Sequence, residues 1–350
     1  MSAPANAPAN LPASLPERLD RFMARANAAY YTTRDPFADF TTSPEISQVF
    51  GELLGAWASV VWEMMGRPDP VILAEAGPGR GTLMADALRL IARVAPGFSQ
   101  ALRVHLVENS PRLRQVQANA LRPHCAADGV VWHDAIDGLP DGPMILLANE
   151  FLDALPIRQF QRGVDGWLER HVDDGKPVWL ASGPPPGPAG LRPVPVGGCI
   201  ESGMPALEVV SWLAARLRLQ GGAALLLDYG PGEAGYGDTL QALKDGGFCD
   251  PFGPPGEADL TAHVDFPALR EAAPGISVHG PVPQGKFLQR LGLFARIERL
   301  ARAQKPGEGG ALVDAAHRLA DPSRMGTLFK VMALCHPSLA MPPGFEEITP

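Results

Sequence analysis

The stretch VILAEAGPGRGTLMADALRL, residues 71–90, decides the fold class. Residues 71–76 are mainly apolar and predict a buried strand, and the apolar spacing from residue 82 to residue 94 predicts a helix. The loop between them, GPGRG, contains three glycines, which let the backbone approach a ligand closely. The first N–H groups of the helix would attract a carboxylate or a phosphate. The stretch therefore predicts a strand, a ligand-binding loop and a helix, the repeating unit of an α/β protein.

Apolar runs alternate with helical patterns along the rest of the chain. The runs after residue 90 are VHLVE, VVW, MILLAN, AALLLDYG and LFKVMALC, with a further extended segment near residues 276–282. Such alternation is typical of βαβ units around a parallel sheet, here of about seven strands.

Composition and patterning divide the chain into five parts. The predicted parts are a flexible leader (1–16), an N-terminal helical lid (17–66), the core (67–156 and 223–335), an insertion (157–222) and a tail (336–350). Within the insertion we expect an antiparallel β-hairpin, a loop rich in Pro and Gly, and a helix.

Three local patterns lead to further expectations. Ser43 followed by Pro44 is typical of a helix start with Ser43 as the N-cap, and apolar residues then recur through Met65. The spacing in residues 286–303 predicts one amphipathic helix. Residues 230–262 are expected to form a loop.

The composition limits the class of protein. The 350 residues carry a formal net charge of −8, and 46% of them are hydrophobic. That hydrophobic content excludes disorder over the whole chain. The acidic balance argues against nucleic acid as the main partner, because phosphate binding depends on Lys and Arg. No apolar run approaches the roughly 18–20 residues that cross a bilayer, so we expect a soluble globular protein.

The cysteines bear on metal binding and on the compartment. The four cysteines lie 50 residues or more apart in the sequence. They form no CxxC or Cys/His ligand spacing, so no metal site is predicted. The first residues lack the apolar core of a secretory signal. Reduced thiols and the cytoplasm of a bacterium are therefore expected.

The spacing of the glycine loop separates classes of ligand. A dinucleotide fingerprint needs GxGxxG, but the residue three after Gly79 is Thr82, so the pattern here is GxGxG. No GK[ST] follows, which excludes a P-loop. A nicotinamide-dependent oxidoreductase is therefore disfavoured, although it stays an alternative because GxGxG alone is a weak signal.

Acidic residues end the next two strands at the same predicted edge of the sheet. Glu108 ends the second strand, where its carboxylate can accept hydrogen bonds from both ribose hydroxyls of a nucleoside. Asp134 follows the third strand, where it could meet an adenine amino group. The alternative for each residue is a solvated acid at a strand end.

The fourth strand, MILLAN, leads directly into a second polar group. Asn149 ends the strand, and Glu150 and Asp153 follow it, beyond the carboxyl end where open sheets bind ligands. Two carboxylates there could orient a cationic substrate group, although a helix cap or a salt bridge is the alternative for each. His263 and Asp228 are further candidates for the acceptor pocket.

Seven ordered motifs between Tyr30 and Ala333 resemble those of the MidA-type S-adenosylmethionine-dependent methyltransferases. The motifs are FTTSPEISQVFGELLGAW, LAEAGPGRGTLMADAL, HLVENSPRLRQVQ, ANEFLDALPIRQF, GDTLQAL, GEADLTAHVDF and MGTLFKVMA. The resemblance implies a Rossmann-like class I fold with a seven-stranded sheet, S-adenosyl-L-methionine as the cofactor and methylation of a protein arginine. The mitochondrial members are complex I assembly factors, and their substrate is an arginine of a complex I core subunit.

The resemblance also implies roles for individual residues. Glu75 would meet the methionine ammonium of the cofactor, whereas Asn149, Glu150 and Asp153 would face the methyl acceptor and take part in catalysis. With the strand-end residues above, the expected cofactor-binding residues are Tyr31, Ser43, Glu75, Gly77, Pro78, Gly79, Gly81, Glu108, Asn109, Asp134 and Asn149.

The chain departs from the family pattern at residues 34–40, where a segment is shortened, so we expect the lid over the cofactor to differ. A non-catalytic assembly chaperone that keeps the fold is an alternative to the enzyme, and methyl incorporation would separate the two. The expected partner is a protein with an accessible arginine, such as a respiratory complex I subunit, and a homodimer is left open.

Overall fold

The structure, a computed structural model, describes residues 15–34, 41–125, 129–303 and 310–346. The predicted leader and tail lie partly outside these residues, and so does most of the shortened segment 34–40. Among the described residues, no helix is both long enough and apolar enough to cross a bilayer.

The strands and helices are numbered in chain order. The strands are β1 (Glu17–Arg18), β2 (Val71–Ala76), β3 (Leu102–Val107), β4 (Val130–His133), β5 (Met144–Asn149), β6 (Arg158–Arg162), β7 (Trp167–Asp173), β8 (Lys176–Ser182), β9 (Cys199–Ser202), β10 (Gly222–Tyr229), β11 (Gln241–Lys244), β12 (Gly247–Cys249), β13 (Asp259–Thr261), β14 (Ser277–Pro283) and β15 (Phe329–Cys335). The helices are α1 (Leu19–Thr33), α2 (Ser43–Ile46), α3 (Gln48–Met64), α4 (Thr82–Val94), α5 (Pro96–Ala101), α6 (Pro111–Leu121), α7 (Met204–Gln220), α8 (Phe266–Glu271), α9 (Gln284–Arg290), α10 (Leu293–Arg302), α11 (Gly310–Ala320) and α12 (Met325–Leu328).

The central sheet has seven strands in the order β14-β15-β10-β5-β2-β3-β4. Strands β4, β3, β2, β5 and β10 run parallel, and β15 is antiparallel to both β10 and β14. The order reverses beside β2, because the chain first adds β3 and β4 on one side and then β5 on the other. Such a reversal opens a crevice at the carboxyl ends of the strands, where open α/β sheets bind ligands. The predicted α/β fold is confirmed, and the sheet is mixed rather than wholly parallel.

Both faces of the central sheet are buried under helices. Along β2, Leu73 belongs to one core together with Phe50 and Ile91, whereas Ile72 and Ala74 belong to the other. The alternation follows from the two-residue period of a strand. Strands buried on both faces have nearly continuous apolar sequences, which is why these runs are visible in the sequence.

Helix α3 packs closely on α4, the helix that follows the glycine loop. A Cβ atom added at Gly51 would lie 2.7 Å from the Cβ of Asp86, and one added at Gly55 would lie 2.8 Å from the Cα of Ala87. Only the absence of side chains permits this approach. The contact holds α4, and therefore the end of the glycine loop, against the core.

The insertion begins with the antiparallel hairpin β6–β7 and extends it into a second sheet. Strand β8 pairs with β7, β9 pairs with β6, and β1 pairs with the end of β7, where Glu17 lies opposite Val172. Helix α1 packs on this unit through Leu19 and Met23, which share a core with Ile157. The N-terminal segment and the insertion therefore form one layer beside the central sheet.

Two predicted helices are interrupted. The helix expected to begin at Ser43 consists of α2 and α3, separated at Ser47, whose backbone is extended with φ −158°. Ser47, and not Ser43, caps a helix with its side chain, because its Oγ accepts from the N–H of Val49. The predicted helix 286–303 consists of α9 and α10, because Gly292 between them has a φ of +90°.

Two further expectations are corrected. Residues 230–262 contain a small antiparallel sheet in the order β12-β11-β13 instead of a loop alone. Helix α7, which the sequence pattern places in the insertion, packs on the central sheet, since Val210 and Leu213 share a core with Leu226. The inserted sheet therefore ends at β9.

Candidate active site

A cavity of about 900 Å³ lies at the carboxyl ends of β2, β3 and β5. Its walls include residues 77–80 of the glycine loop, residues 107–109 at the end of β3, and most of residues 149–156 at the end of β5. Gly81, an expected cofactor contact, does not line the cavity. Residues of α1 and of the start of α2 also line it. Cavities of this size are typical of small-molecule and cofactor sites. The cavity lies at the reversal of strand order, on the edge of the sheet formed by the carboxyl ends of the strands.

The three glycines of the loop have backbone conformations that residues with a side chain rarely adopt. Gly77, Gly79 and Gly81 have φ values of +66°, +54° and +82°, in the region that glycine adopts most readily. A Cβ atom at Gly77 would lie 3.1 Å from the ring of Phe151. Gly81 is the N-cap of α4, and Thr82 and Leu83 line the cavity, so the start of that helix, whose first N–H groups lack partners within the helix, lies beside the cavity.

Gln117, on α6, ties the glycine loop to Glu108. Its amide nitrogen donates to the carbonyl oxygen of Gly79 at 2.8 Å and to the Glu108 carboxylate at 3.1 Å. Its amide oxygen accepts from the indole N–H of Trp132 at 2.8 Å. Gln117 is completely buried. These bonds hold the loop and the carboxylate at a fixed separation.

Glu75 is a buried carboxyl group on the wall of the cavity. Its Oε2 has no hydrogen-bond partner among the described residues. Burial raises the pKa of Glu75 to about 8, against the effect of a hydrogen bond from the backbone N–H of Met84. A buried carboxylate oxygen without a hydrogen-bond partner makes the ionised form of the group unfavourable. The position therefore fits a ligand that brings an ammonium group.

Glu108 presents a carboxylate that is partly satisfied. One oxygen accepts from the N–H of Ser110 at 2.8 Å, and the other accepts from Gln117. Burial raises the pKa of Glu108, and these hydrogen bonds oppose the shift. Each carboxylate oxygen can accept a further hydrogen bond. The residue can therefore hold the two hydroxyls of a ribose, as its place after β3 predicts.

Asn109 and Asp134 lie at the edge of the same cavity. Both line it, but the side chain of Asp134 is 85% exposed and forms an ion pair with Arg114. Pro78, in the glycine loop, also lines the cavity. Asp134 therefore lies at the rim of the cavity, where its carboxylate can contact the edge of a bound base that faces solvent.

Tyr31 and Ser43 have different positions. Tyr31 lines the cavity, and its hydroxyl donates to Oδ1 of Asp259 at 2.8 Å. Ser43 is completely buried and does not line the cavity, and its backbone N–H donates to Glu150 at 3.2 Å. The expected cofactor contact of Ser43 is therefore corrected to support of Glu150.

Three carboxyl groups, Glu150, Asp153 and Asp259, line the cavity beyond β5, and we call them the acidic pocket. Asp153 and Asp259 are buried, and Glu150 is partly buried. Burial raises the pKa of Glu150 to about 7 and raises the pKa of Asp153 well above its usual range, with repulsion between the carboxylates adding to both shifts. A bound cation would favour the ionised forms. In the described parts of the chain, no group of His, Cys, Asp and Glu is arranged to hold a metal ion.

Glu150 has an unusual backbone conformation. Its φ is +51°, which is uncommon for a residue other than glycine and is often found at functional sites. Its Oε1 accepts from the side-chain amide of Asn149 at 3.0 Å as well as from Ser43. The buried Oδ1 of Asn149 has no partner among the described residues and can accept a hydrogen bond from a ligand.

His263 and Asp228, the other candidates for the acceptor pocket, differ in placement. His263 lines the cavity and packs edge to face on Tyr229, with ring centroids 5.4 Å apart. Asp228 does not line it, because its carboxylate accepts the N–H groups of Leu152, Asp153 and Tyr229. Asp228 therefore positions the loop after β5, which corrects its candidate role as a substrate contact.

Sequence reasoning missed three residues of the site. Gln117, Tyr229 and Asp259 come from α6, β10 and β13, and none of them carries a local pattern that predicts its role. Gln117 and Asp259 do lie within the motifs HLVENSPRLRQVQ and GEADLTAHVDF, which is the signal that could have drawn attention to them.

The fold and the site together define the class. A mixed α/β sheet with this strand order, a glycine loop after β2 and an acid after β3 form the scaffold of an α/β methyltransferase. The chain belongs to the family of S-adenosyl-L-methionine-dependent methyltransferases, whose family model matches residues 53–282.

Several relatives cover most of the chain. The protein arginine methyltransferase NDUFAF7 homolog of Drosophila melanogaster mitochondria is 38% identical over an alignment of 351 positions, gaps included. The alignment covers 89% of this chain and 79% of that protein. The human mitochondrial protein arginine methyltransferase NDUFAF7 is 34% identical over 335 residues, which span 87% and 76% of the two chains. A crystal structure from Burkholderia thailandensis with bound S-adenosyl-homocysteine has a TM-score of 0.76 and 26% identity, and covers 93% of this chain and 89% of that chain. This chain is thus a methyltransferase, with S-adenosyl-L-methionine as its cofactor, and not a nicotinamide-dependent oxidoreductase.

Glu108→Ala is expected to weaken the binding of S-adenosylhomocysteine by about tenfold or more, because a hydrogen bond to a charged group contributes about 1.5–3 kcal/mol. Titration calorimetry measures the change, with Glu233→Ala, an exposed carboxylate outside the cavity, as the matched control. Unchanged affinity in Glu108→Ala would remove Glu108 from the ribose site.

Proposed function

We propose that this methyltransferase acts on an arginine side chain of a protein substrate, which binds in the acidic pocket. The observation that carries the proposal is the grouping of Glu150, Asp153 and Asp259 on one wall of the cavity, next to the residues that fit the cofactor. The relatives named protein arginine methyltransferases support the same acceptor.

The chemistry of a guanidinium suits this pocket. It is charged at every physiological pH and presents five N–H donors in one plane. Carboxylates that pair with two of its nitrogens leave the third nitrogen free to face the cofactor. S-Adenosylmethionine supplies an activated methyl group, so the residues of the chain mainly need to hold the acceptor nitrogen in line with it. Glu150 and Asp153 are assigned this positioning.

Methylation of a guanidinium nitrogen also releases a proton from that nitrogen. Asp153 is assigned as the acceptor of this proton, because it lines the pocket beside Glu150 and the bound guanidinium would keep it ionised until transfer. Burial and the neighbouring carboxylates, which raise its pKa, then favour uptake of the proton. A carboxylate with a raised pKa binds a proton more strongly than an exposed one.

We further propose that the substrate is a subunit of a respiratory complex I, which rests on the resemblance to the family whose mitochondrial members assemble that complex. The cytoplasmic location and the homodimer stay predictions. Cell fractionation and light scattering would test them.

The experiment that tests the function is incubation with labelled S-adenosylmethionine and a lysate of cells that lack this protein, followed by mass spectrometry of the labelled residue. We expect the label on arginine of one or a few proteins. Label on another residue type would overturn the proposed acceptor, and binding of the cofactor without any transfer would favour the assembly chaperone.

The described parts of the segment 30–48, which are residues 30–34 and 41–48, are proposed to act as a lid over the cofactor. Three hydrogen bonds support this role by connecting the segment to the cofactor site. The carbonyl oxygen of Tyr31 accepts from the Ser110 hydroxyl, and Arg112 donates to the carbonyl oxygen of Arg34. The Thr82 hydroxyl, just after the glycine loop, donates to Glu45.

Hydrogen exchange of residues 30–48 is expected to slow when S-adenosylhomocysteine is added, because cofactor contacts would stabilise the closed segment. Exchange mass spectrometry with and without the ligand checks this, with the hairpin β7–β8 as the internal control. Equal exchange in both states would contradict the lid.

A further inference from the structure

A second cavity, of about 450 Å³, lies next to the first. Its walls are mainly apolar and include parts of α7, α8 and β9 and the loops after β5 and β10. The aliphatic side chains are those of Leu152, Leu155, Ile157, Ala189, Ile200, Ala206, Leu207, Ala262, Val264, Ala268, Leu269 and Leu328. We call it the side pocket.

The side pocket adjoins the proposed arginine site. Leu155, His263 and Leu328 line both cavities. The loop after β5 thus presents Glu150 and Asp153 to one cavity and Leu152 to the other. A chain that places one side chain in the acidic pocket would have its neighbouring residues close to the side pocket.

Three charged groups of the side pocket, Arg192, Asp265 and Glu201, are already paired. Arg192 forms an ion pair with Asp265. The carboxylate of Glu201 accepts from the Gln159 side chain at 2.7 Å and from the N–H and hydroxyl of Thr239. These groups therefore have little need of a charged ligand. An apolar occupant gains from the aliphatic walls without leaving any of these charged groups unpaired.

The ammonium of Lys330 does not change this conclusion. It donates to the backbone carbonyl oxygens of Thr327 and Leu328. Burial lowers its pKa, so the surroundings already disfavour a charge at this position. Tyr236, which is 57% exposed, also lines the side pocket, so an aromatic ring accessible to solvent borders it.

We infer that the side pocket is a specificity site, which holds a bulky apolar side chain of the protein substrate close in sequence to the target arginine. The inference rests on the proposed function, since an arginine bound in the acidic pocket determines where the neighbouring residues of the substrate lie. The two cavities share lining residues, and an extended chain advances about 3.3–3.6 Å per residue, so the occupant is expected close to the arginine in the substrate sequence.

The test is a double-mutant cycle on the substrate identified by the labelling experiment. In the enzyme, Ala206→Phe fills the side pocket from α7, and in the substrate the bulky apolar residue nearest the target arginine is changed to alanine. Each change alone is expected to raise KM for the substrate by about tenfold, the scale of one buried apolar side chain, and the two together are expected to raise it little further.

Two measurements separate this role from a general loss of structure. Affinity for S-adenosylhomocysteine is expected to stay within about twofold in Ala206→Phe, because Ala206 does not line the first cavity. Leu219→Phe, on the same helix but 75% exposed and outside both cavities, is the matched control and should leave KM unchanged. Leu207→Ala, which enlarges the side pocket, gives a second variant and should raise the preference for a larger apolar residue.

The outcomes distinguish the two proposals. Two results would overturn the role of the side pocket as a specificity site: labelled arginines with no bulky apolar residue close in sequence, or additive effects in the cycle. Both would leave the proposed arginine methyltransferase activity in place. A label on another type of residue would overturn the proposed function and, with it, this inference.

Discussion

Glu150→Gln is expected to lower methyl transfer to the arginine substrate by at least about tenfold, while affinity for S-adenosylhomocysteine stays within a few-fold. The substitution keeps the size of the side chain and removes the charge that would pair with the guanidinium. Glutamine is no more strained than glutamate at the φ of +51°, so the backbone should not change. Single-turnover kinetics with labelled cofactor, together with calorimetry, separate transfer from binding.

Asp153→Asn is the companion variant and should lower transfer less severely, because Glu150 and Asp259 in the same pocket can still pair with the guanidinium and take up its proton. Asp141→Asn, at an exposed carboxylate that does not line the cavity, serves as the control for loss of one negative charge. Full transfer by Glu150→Gln would remove Glu150 as the guanidinium partner and direct attention to Asp259 and His263.

Glu75→Gln is expected to weaken S-adenosylhomocysteine binding at pH 8.5 by about tenfold to a hundredfold, since it removes the carboxylate that would hold the methionine ammonium. The pH of the assay matters because the pKa of Glu75 is about 8 in the free protein. Only above that pH is the Glu75 carboxyl group ionised in most wild-type molecules before the ligand binds. Equal affinity of both proteins at pH 8.5 would exclude the pairing of Glu75 with the ammonium.

The same residue makes binding depend on pH. Below pH 8 the Glu75 carboxyl group must lose a proton before it pairs with a cation, so affinity should rise with pH by up to about tenfold per unit between pH 6 and 8. Calorimetry in two buffers of different ionisation heat should detect the released proton. Glu75→Gln should remove this part of the pH dependence and leave any part that comes from the ligand.

The sign of the stability effect follows from the same pKa. The folded protein holds the Glu75 proton more tightly than the unfolded chain, whose carboxyl has the ordinary value of 4.5. Without cofactor, the free energy of unfolding should therefore fall as the pH rises from about 4.5 through 8. Saturating cofactor should reduce this loss, because the ammonium stabilises the ionised form.

The sequence predicted those parts of the site that depend on local pattern. Gly77, Gly79 and Gly81 follow an apolar strand directly, and Glu108 and Glu150 follow the next strands, so their common edge is a consequence of parallel pairing. Gln117 and Asp259 join the site only through the packing of α6 and β13. Local spacing contains no information on such tertiary contacts, so only the structure shows that these two residues belong to the site.

The misassigned elements have local causes as well. Strands β11, β12 and β13 contain only three or four residues, and the sequence PFGPPG lies between β12 and β13, so their pattern is too short to distinguish from a loop. Periodicity continues across Ser47 and Gly292, although the backbone does not remain helical at either residue. Apolar spacing predicts which face is buried and is less informative about where a helix is broken.

The place of β15 in the central sheet affects how the protein can be synthesised. Strand β15 follows all the other strands of that sheet in the sequence, yet it lies between β10 and β14. While the ribosome has not yet released residue 335, β10 and β14 each have an unpaired edge and exposed apolar side chains, the condition that promotes aggregation of nascent chains. Production of this methyltransferase should therefore depend on the chaperones that protect a growing chain until its last internal strand is available.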